Sequence, residues 1–183
     1  MKYFGMLALA ALLMPVSASA QDSAMTPSMI PNPITSMIKQ QVVRYGQLQV
    51  AAAEAMPAEK YSYRPTPEMR TFGQTILHVA QFNDNFCGRI SGLTAPDIKE
   101  LKDTDSKDKL VAAVKDSFAF CTTALNGLDD STLGQPIGKM GPNMMSRGGG
   151  ILILGEDWFD HYSALAAYLR VNGILPPPAQ PAK

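Results

Sequence analysis

The sequence predicts an all-α fold, a four-helix bundle, and three features support this prediction. Apolar residues recur at helical spacing in four segments, at 34–55, 71–91, 107–126 and 151–171. Capping residues, glycines or prolines stand at their ends. No segment alternates convincingly between apolar and polar residues as a strand does, although an irregular helical domain with a small hairpin within 129–150 is the alternative. Four helices of about 30 Å each can pack around one core.

The first two helices have clear boundary signals. Helix 1 ends at Met56-Pro57, because proline disfavours helix in the residue that precedes it. Thr71 and Gln74 then form the pattern of a capping box, with threonine as the N-cap and glutamine at N3. Helix 2 continues to Gly92, which suits a C-terminal cap.

The second half of the chain is less uniform. Acidic and hydroxyl residues at 103–106 suit the N-terminus of helix 3, and the Asn-Gly pair at 126–127 indicates its end. Residues 129–150 are rich in glycine and methionine and lack clear periodicity, which predicts a long irregular connection before helix 4. The Asn-Gly pair at 172–173, followed by prolines, stops helix 4.

The N-terminus has the pattern of a secretory signal peptide. Lys2 supplies a short positive region, residues 4–14 are apolar but too few to span a bilayer, and Ala-Ser-Ala at 18–20 forms a cleavage site. We therefore expect a periplasmic or secreted protein that is cleaved after Ala20. The expected organisation is a signal peptide at 1–20, a mobile lead-in at 21–33, a four-helix bundle domain at 34–175 and a proline-rich tail at 176–183.

The composition narrows the classes of partner. Cleavage leaves 163 residues (183 − 20), which suits one domain with a substantial core. The loss of Lys2 turns 16 positive and 16 negative side chains into 15 and 16. This balance gives no electrostatic reason to expect nucleic acid, and no later segment is apolar enough for stable membrane insertion. The expected partner is a small molecule of unknown identity, and a homodimer is compatible with these features.

The two histidines of the chain carry its main chemical signal. His161 follows Asp157 by four residues, so both lie on the same face of helix 4. His78 lies on helix 2 and could meet them from there. Two imidazoles and one carboxylate that leave open coordination positions make a candidate divalent-metal site. A plain hydrogen bond between Asp157 and His161 is the alternative.

Three other features have competing interpretations. Cys87 and Cys121 could form a disulfide in an exported protein or remain two buried thiols. The glycines at 148–150 could hold an anion at a helix N-terminus, but a flexible joint is the simpler interpretation. Methionines within 140–145 could bind copper or could form a pliant apolar loop.

Two stretches of the chain resemble the DinB-like (YfiT-related) proteins. The run EKYSYRPTPEMRTFGQTILHVAQFN, at 59–83, is similar to the start of their second helix, where an aromatic-rich Arg-Pro stretch precedes Phe-Gly and then a histidine. The run DWFDHYSALAAYLRVNGILPP, at 157–177, resembles their last helix, with its terminal Tyr-Leu-Arg and a following proline. The resemblance extends over about 34–177, which is nearly the whole mature chain.

The resemblance implies a bundle in up-down-down-up order, with helices 2 and 3 parallel. It also implies a divalent metal held by three side chains, commonly histidines, of which one is on helix 2 and two are on the last helix. The corresponding residues are His78, Asp157 and His161, so an aspartate replaces one usual histidine. Zinc is the first candidate ion, nickel, iron and manganese are alternatives, and the aspartate favours harder ions.

The resemblance also indicates a function, because characterised relatives include thiol-dependent transferases and isomerases. Export argues against a thiol-dependent activity, because low-molecular-weight thiol cofactors are mainly cytoplasmic. We therefore expect a metal-dependent hydrolase or transferase. A non-catalytic metal or small-molecule binder and a structural bundle with a decayed site are the alternatives. The candidates for a general acid or base, chosen by proximity, are Glu54, Asp84, Glu156 and Tyr168.

The parallel order of helices 2 and 3, which the resemblance implies, bears on whether the two cysteines can form a disulfide. Cys87 lies about four residues before the end of helix 2, and Cys121 about six before the end of helix 3. Parallel helices would bring the two cysteines nearly level. The resemblance therefore favours a Cys87–Cys121 disulfide.

Overall fold

The computed structural model describes residues 29–178, where four α-helices and one small hairpin form the fold. The elements are α1 (Pro33–Ala55), α2 (Phe72–Ser91), α3 (Lys107–Asn126), β1 (Pro136–Met140), β2 (Asn143–Ser146) and α4 (Arg147–Val171). None of the helices in this described part has the length and apolarity that a membrane span requires. The predicted signal peptide, most of the lead-in and the last five residues of the tail (179–183) lie outside the described residues.

The helices α2 and α3 run parallel to each other. Asn83 of α2 donates a hydrogen bond to Ser117 of α3, and Cys87 is bonded to Cys121 one turn later. Both pairs are separated by 34 positions (117 − 83 and 121 − 87), and such a constant offset requires parallel helices.

The helix α1 is antiparallel to α3, and α4 is antiparallel to α2. Lys107, at the start of α3, donates to the carbonyl of Glu54 at the end of α1. Arg147, at the start of α4, donates to the carbonyl of Ile90 near the end of α2. The predicted bundle is therefore confirmed, and its order is up-down-down-up.

Local capping explains the boundaries of α2. The Thr71 hydroxyl accepts from the Gln74 backbone N–H at 3.1 Å, and the Gln74 side chain accepts from the Thr71 N–H at 2.8 Å. At the other end, Gly92 adopts a φ of 80°, a left-handed conformation that glycine tolerates better than other residues. The predicted capping box and C-cap are both confirmed.

The segment before α4 differs from the principal prediction in two respects. Part of 129–150 forms the antiparallel hairpin β1–β2, as the alternative interpretation held. In addition, α4 begins at Arg147 instead of residue 151, because Ser146 caps it by accepting from the Gly149 N–H at 3.1 Å.

The glycines at 148–150 belong to the first turns of α4, so the flexible-joint interpretation is wrong. A Cβ atom on Gly150 would lie 2.5 Å from Cδ1 of Ile137 in β1 and 3.2 Å from Cγ1 of Ile90 in α2. The missing side chain lets the hairpin pack closely against the junction of α2 and α4.

The core lies between all four helices. Its largest fully buried side chains are Trp158, Phe72, Met56, Ile76, Ile90, Leu110, Leu125, Leu154, Leu165 and Leu169. Cys87 and Cys121 are also fully buried, with a Cα–Cα distance of 5.2 Å, which is typical of a disulfide. The predicted disulfide is confirmed, and the alternative of two free thiols is wrong.

Candidate metal centre

The side chains of His78, Asp157 and His161 meet between α2 and α4. Each offers one ligand atom, and these atoms all lie within 4.8 Å of one another. Asp157 Oδ1 is 3.8 Å from His78 Nε2 and 3.4 Å from His161 Nδ1. The two imidazole centroids are 4.7 Å apart. The structure thus brings together all three residues selected from the sequence.

The spacing and chemistry of this cluster fit a divalent cation. Ligand atoms bound at ~2.1 Å to a tetrahedral ion stand ~3.4 Å apart, so small side-chain rotations would suffice to bind one. Asp157 Oδ2 is buried and has no hydrogen-bond partner, an arrangement that costs free energy in a protein interior. A cation at the cluster would remove that cost.

The orientation of His161 is set by the backbone. Its Nδ1 lies 2.9 Å from the carbonyl oxygen of Asp157, one helical turn earlier. Because a carbonyl can only accept, Nδ1 is the donor in this contact, and Nε2 is the ring nitrogen left available to a metal ion. The hydrogen bond of His161 therefore goes to the backbone, and the Asp157 carboxylate, with Oδ1 3.4 Å from the same Nδ1, makes an additional contact with this nitrogen.

A buried hydrogen-bond network holds α4 in place beside the cluster. The indole Nε1 of Trp158 donates to Asn83 Oδ1 at 2.6 Å, and Asn83 Nδ2 donates to Ser117 Oγ at 3.1 Å. Gln49 of α1 donates to the Trp158 carbonyl at 2.9 Å. Trp158 is adjacent to Asp157 in the chain, so this network positions a candidate ligand. Sequence reasoning missed it, although an asparagine on the apolar face of α2 was a signal.

Solvent reaches the cluster mainly from the side of His78. The side chain of His78 is 29% exposed, whereas those of Asp157 and His161 are 10% and 9% exposed. A shallow cavity of about 420 Å³ contacts His78, and its other lining residues are Arg70, Gln74, Leu77, Gln81 and Asp103. A ligand would therefore approach the cluster along α2.

Another acidic residue lies at the edge of the cluster. The Asp160 carboxylate is 3.9 Å from His161 Nδ1, and its side chain is 82% exposed. Sequence analysis did not select it, although its position directly before His161 was an available signal. Asp160 is the exposed carboxylate nearest to the candidate ligands among the contacts described.

The four candidates for a general acid or base have other surroundings. Tyr168 donates its hydroxyl to the Arg70 carbonyl at 2.5 Å, and burial raises its pKa, so it is a poor acid. Glu156 lines a separate cavity between α1 and α4, and Asp84 lines one beside α2. Glu54 is exposed at the end of α1. The structure gives none of the four a contact with the cluster among the interactions of the described residues.

The fold and the cluster define a class, a helical bundle with a candidate metal centre between its second and last helices. The sequence model of the DinB superfamily matches residues 41–165. This match covers more than half of the chain, which therefore belongs to the DinB superfamily. Comparison with curated protein sequences found no match.

Two solved structures show the same fold. A DinB-like protein from Bacillus subtilis is similar with a TM-score of 0.62 and 17% identity, over 80% of this chain and 99% of that one. A conserved protein from Enterococcus faecalis is similar with a TM-score of 0.57 and 14% identity, over 75% of this chain and 95% of that one. Identities this low establish the shared fold alone.

Proposed function

We propose that this protein is an exported, metal-dependent enzyme, a hydrolase or transferase, whose divalent ion is held by His78, Asp157 and His161. One observation carries the proposal. The only two histidines of the chain converge on a carboxylate whose buried Oδ2 has no hydrogen-bond partner. Zinc is the first candidate ion, and nickel, iron and manganese are the alternatives.

The residues around the cluster have distinct roles in this proposal. A bound divalent ion would supply Lewis-acid chemistry, because it lowers the pKa of a coordinated water or thiol. His161 is held by its Nδ1–H bond to the backbone, so Nε2 is the ring nitrogen that would coordinate the ion. Arg70 and Gln74 line the cavity at His78, where they would orient polar groups of a substrate.

Export is part of the proposal, and two observations support it. Residues 1–20 have the pattern of a signal peptide, and Cys87 and Cys121 form a disulfide in the structure. Disulfides persist mainly in oxidising compartments. Because low-molecular-weight thiols are mainly cytoplasmic, export favours hydrolysis over thiol transfer.

Metal analysis of the purified mature protein tests the site. We expect about one divalent ion per chain, which His161→Ala removes and the matched control Asp160→Asn retains. The control changes a neighbouring exposed residue that the proposal does not make a ligand. Metal content unaffected by His161→Ala would refute the assignment.

A non-catalytic binding protein is the second candidate function. Among the described contacts of the cluster, the one additional carboxylate is that of Asp160, and it is largely exposed. The cluster therefore has no buried general acid or base among these contacts, which favours a binding protein. The two functions differ in their response to substrate. An enzyme would turn over esters or amides in a reaction that His78→Ala abolishes, whereas a binder would show only ligand-dependent stabilisation.

A further inference from the structure

We propose that the cavity between α2 and residues 94–99 is a second binding site, which takes a small organic cation through the carboxylate of Asp84. The cavity has a volume of about 450 Å³, and its lining includes Gln81, Asp84 and Asn85 of α2. Asp84 follows His78 by six residues, or about 9 Å along the helix, so the site is separate from the metal centre.

The burial of Asp84 and its unpaired carboxylate oxygen are the observations that point to a ligand. Its side chain lines the cavity, yet the residue is only 6% exposed and its Oδ1 is buried without a hydrogen-bond partner. An ionised carboxylate in such a position is costly unless it is paired and hydrogen-bonded. A cation in the cavity would supply the missing charge, and a rotation of the carboxylate would bring Oδ1 to the donors of that cation.

The charges around Asp84 favour a cation over an anion. Burial and the nearby Asp116 of α3 raise the pKa of Asp84 to about 6, so the carboxyl is mostly ionised at neutral pH beside a second negative charge. Asp97 also lines the cavity. The cavity's one basic residue among those described, Lys99, has its Nζ 3.7 Å from Asp97 and an 87% exposed side chain. Lys99 is therefore directed to solvent beside Asp97.

The residues that line the cavity indicate the size of the ligand and the chemistry of its uncharged part. Ala95, Pro96 and Ile98 form an apolar side, which would contact a short hydrocarbon body. The amide oxygens of Gln81 and Asn85 are acceptors that could share the donors of an ammonium or amidinium group with Asp84. The volume of this open cavity lies in the range of small-molecule sites, which favours a free small molecule.

Titration by NMR of the mature protein at pH 7.5 tests the proposal with matched probes. Benzylamine and benzamidine supply the cation in two geometries, benzyl alcohol is a neutral analogue, and phenylacetate is an anionic one. We expect saturable shifts of the Asn85 and Thr94 amide signals with the two cations alone. Asp84→Asn, which keeps the shape of the side chain, should weaken binding at least about tenfold, or ~1.4 kcal/mol.

Two further variants separate the site from its surroundings. Asp97→Asn removes an exposed charge at the rim and should change the affinity less than about threefold. His161→Ala should leave the affinity unchanged, so failure of the metal centre would not be mistaken for failure of this site. Equal binding of benzyl alcohol, unchanged binding by Asp84→Asn, or no saturable binding of either cation at millimolar concentration would overturn the proposal.

Discussion

Asp157 stands where the resemblance to DinB-like proteins implies a third histidine. Its carboxylate lies between the two imidazoles, with Oδ1 3.8 Å from His78 Nε2 and 3.4 Å from His161 Nδ1. A carboxylate reduces the net charge of a bound divalent ion more than a neutral imidazole does. It is also a harder ligand, so in the proposed site an aspartate would favour harder ions while it keeps the number of ligands at three.

The first prediction concerns the contribution of Asp157 to metal affinity. Asp157→Ala should weaken zinc binding by at least about a hundredfold, because even residues that only support ligands contribute about 10–100-fold. Competition with a chromophoric chelator measures the affinity. Glu156→Gln is the control, since it removes a negative charge from the neighbouring exposed position. Equal losses in the two variants would show that net charge, and not coordination, determines binding.

The second prediction uses the raised pKa of Asp84. The folded-state value of about 6 lies above the ordinary value of 3.8, so the native state binds this proton more tightly than the unfolded state does. The resulting stability is present below about pH 4 and is lost as the pH rises through about 6. The stability gained by Asp84→Asn should therefore be larger at pH 7.5 than at pH 4, by at most about 3 kcal/mol.

Urea denaturation at both pH values, with a chelator present, measures this difference. Asp116→Asn is the companion variant, because it removes only the neighbouring charge and should give a smaller effect of the same sign. A gain from Asp84→Asn that is identical at pH 4 and pH 7.5 would contradict the assigned pKa.

The candidate ligands could be predicted from the sequence because their geometry is largely local. Asp157 and His161 share a helix face through their four-residue spacing, and His78, the other histidine of the chain, lies on a predicted helix that the family resemblance places beside them. The partnership of Asn83 with Trp158 and Ser117 could not be predicted in this way. It depends on how the helices are rotated against one another, which periodicity alone does not determine.

At the scale of elements, the third prediction tests how α2 and α4 are held together. Trp158→Phe keeps an aromatic ring but removes the donor to Asn83 Oδ1, which would leave that buried oxygen unpaired. The free energy of unfolding should fall by about 1–3 kcal/mol. Zinc affinity should also fall, because the same bond positions Asp157. Tyr162→Phe, one turn along α4, is the control and should change neither quantity by more than about 0.5 kcal/mol.

The two quantities in this experiment distinguish positioning from stability. Chelator competition is done far below the unfolding transition, so a loss of affinity there reports local geometry. A variant that loses stability but retains full zinc affinity would show that the network does not position the metal centre.

The hairpin and the start of α4 show where element prediction from the sequence fails. The ends of α2 were predictable because Thr71, Gln74 and Gly92 act within one turn of the chain. In the hairpin only Met145 is buried, so the strands lack the alternation that marks a half-buried sheet. The glycines at 148–150 suggested a break, whereas their lack of side chains serves close packing against Ile137 and Ile90.

At the scale of the whole molecule, the parallel arrangement of α2 and α3 has a structural cost. A chain can join antiparallel helices through a short turn, but parallel neighbours need a connection that returns along the full helix length. Residues 92–106 make that return with no helix or strand. The Cys87–Cys121 bond joins the two helices toward their C-terminal ends, close to where this connection leaves α2, and so constrains the pairing that the loop alone leaves free.

The last prediction is the contribution of this disulfide to stability. The bond links positions 34 apart, for which the chain-entropy model gives about 3–4 kcal/mol through a more restricted unfolded state. The double variant Cys87→Ala with Cys121→Ala should therefore unfold at a lower urea concentration, with a free energy of unfolding smaller by about 2–5 kcal/mol. Cys87 is nine residues, or about 13 Å, along α2 from His78, so zinc affinity at low temperature should not change. A double variant as stable as the parent would show that packing alone holds α2 and α3 in parallel, and a loss of zinc affinity would show that the metal centre depends on that pairing.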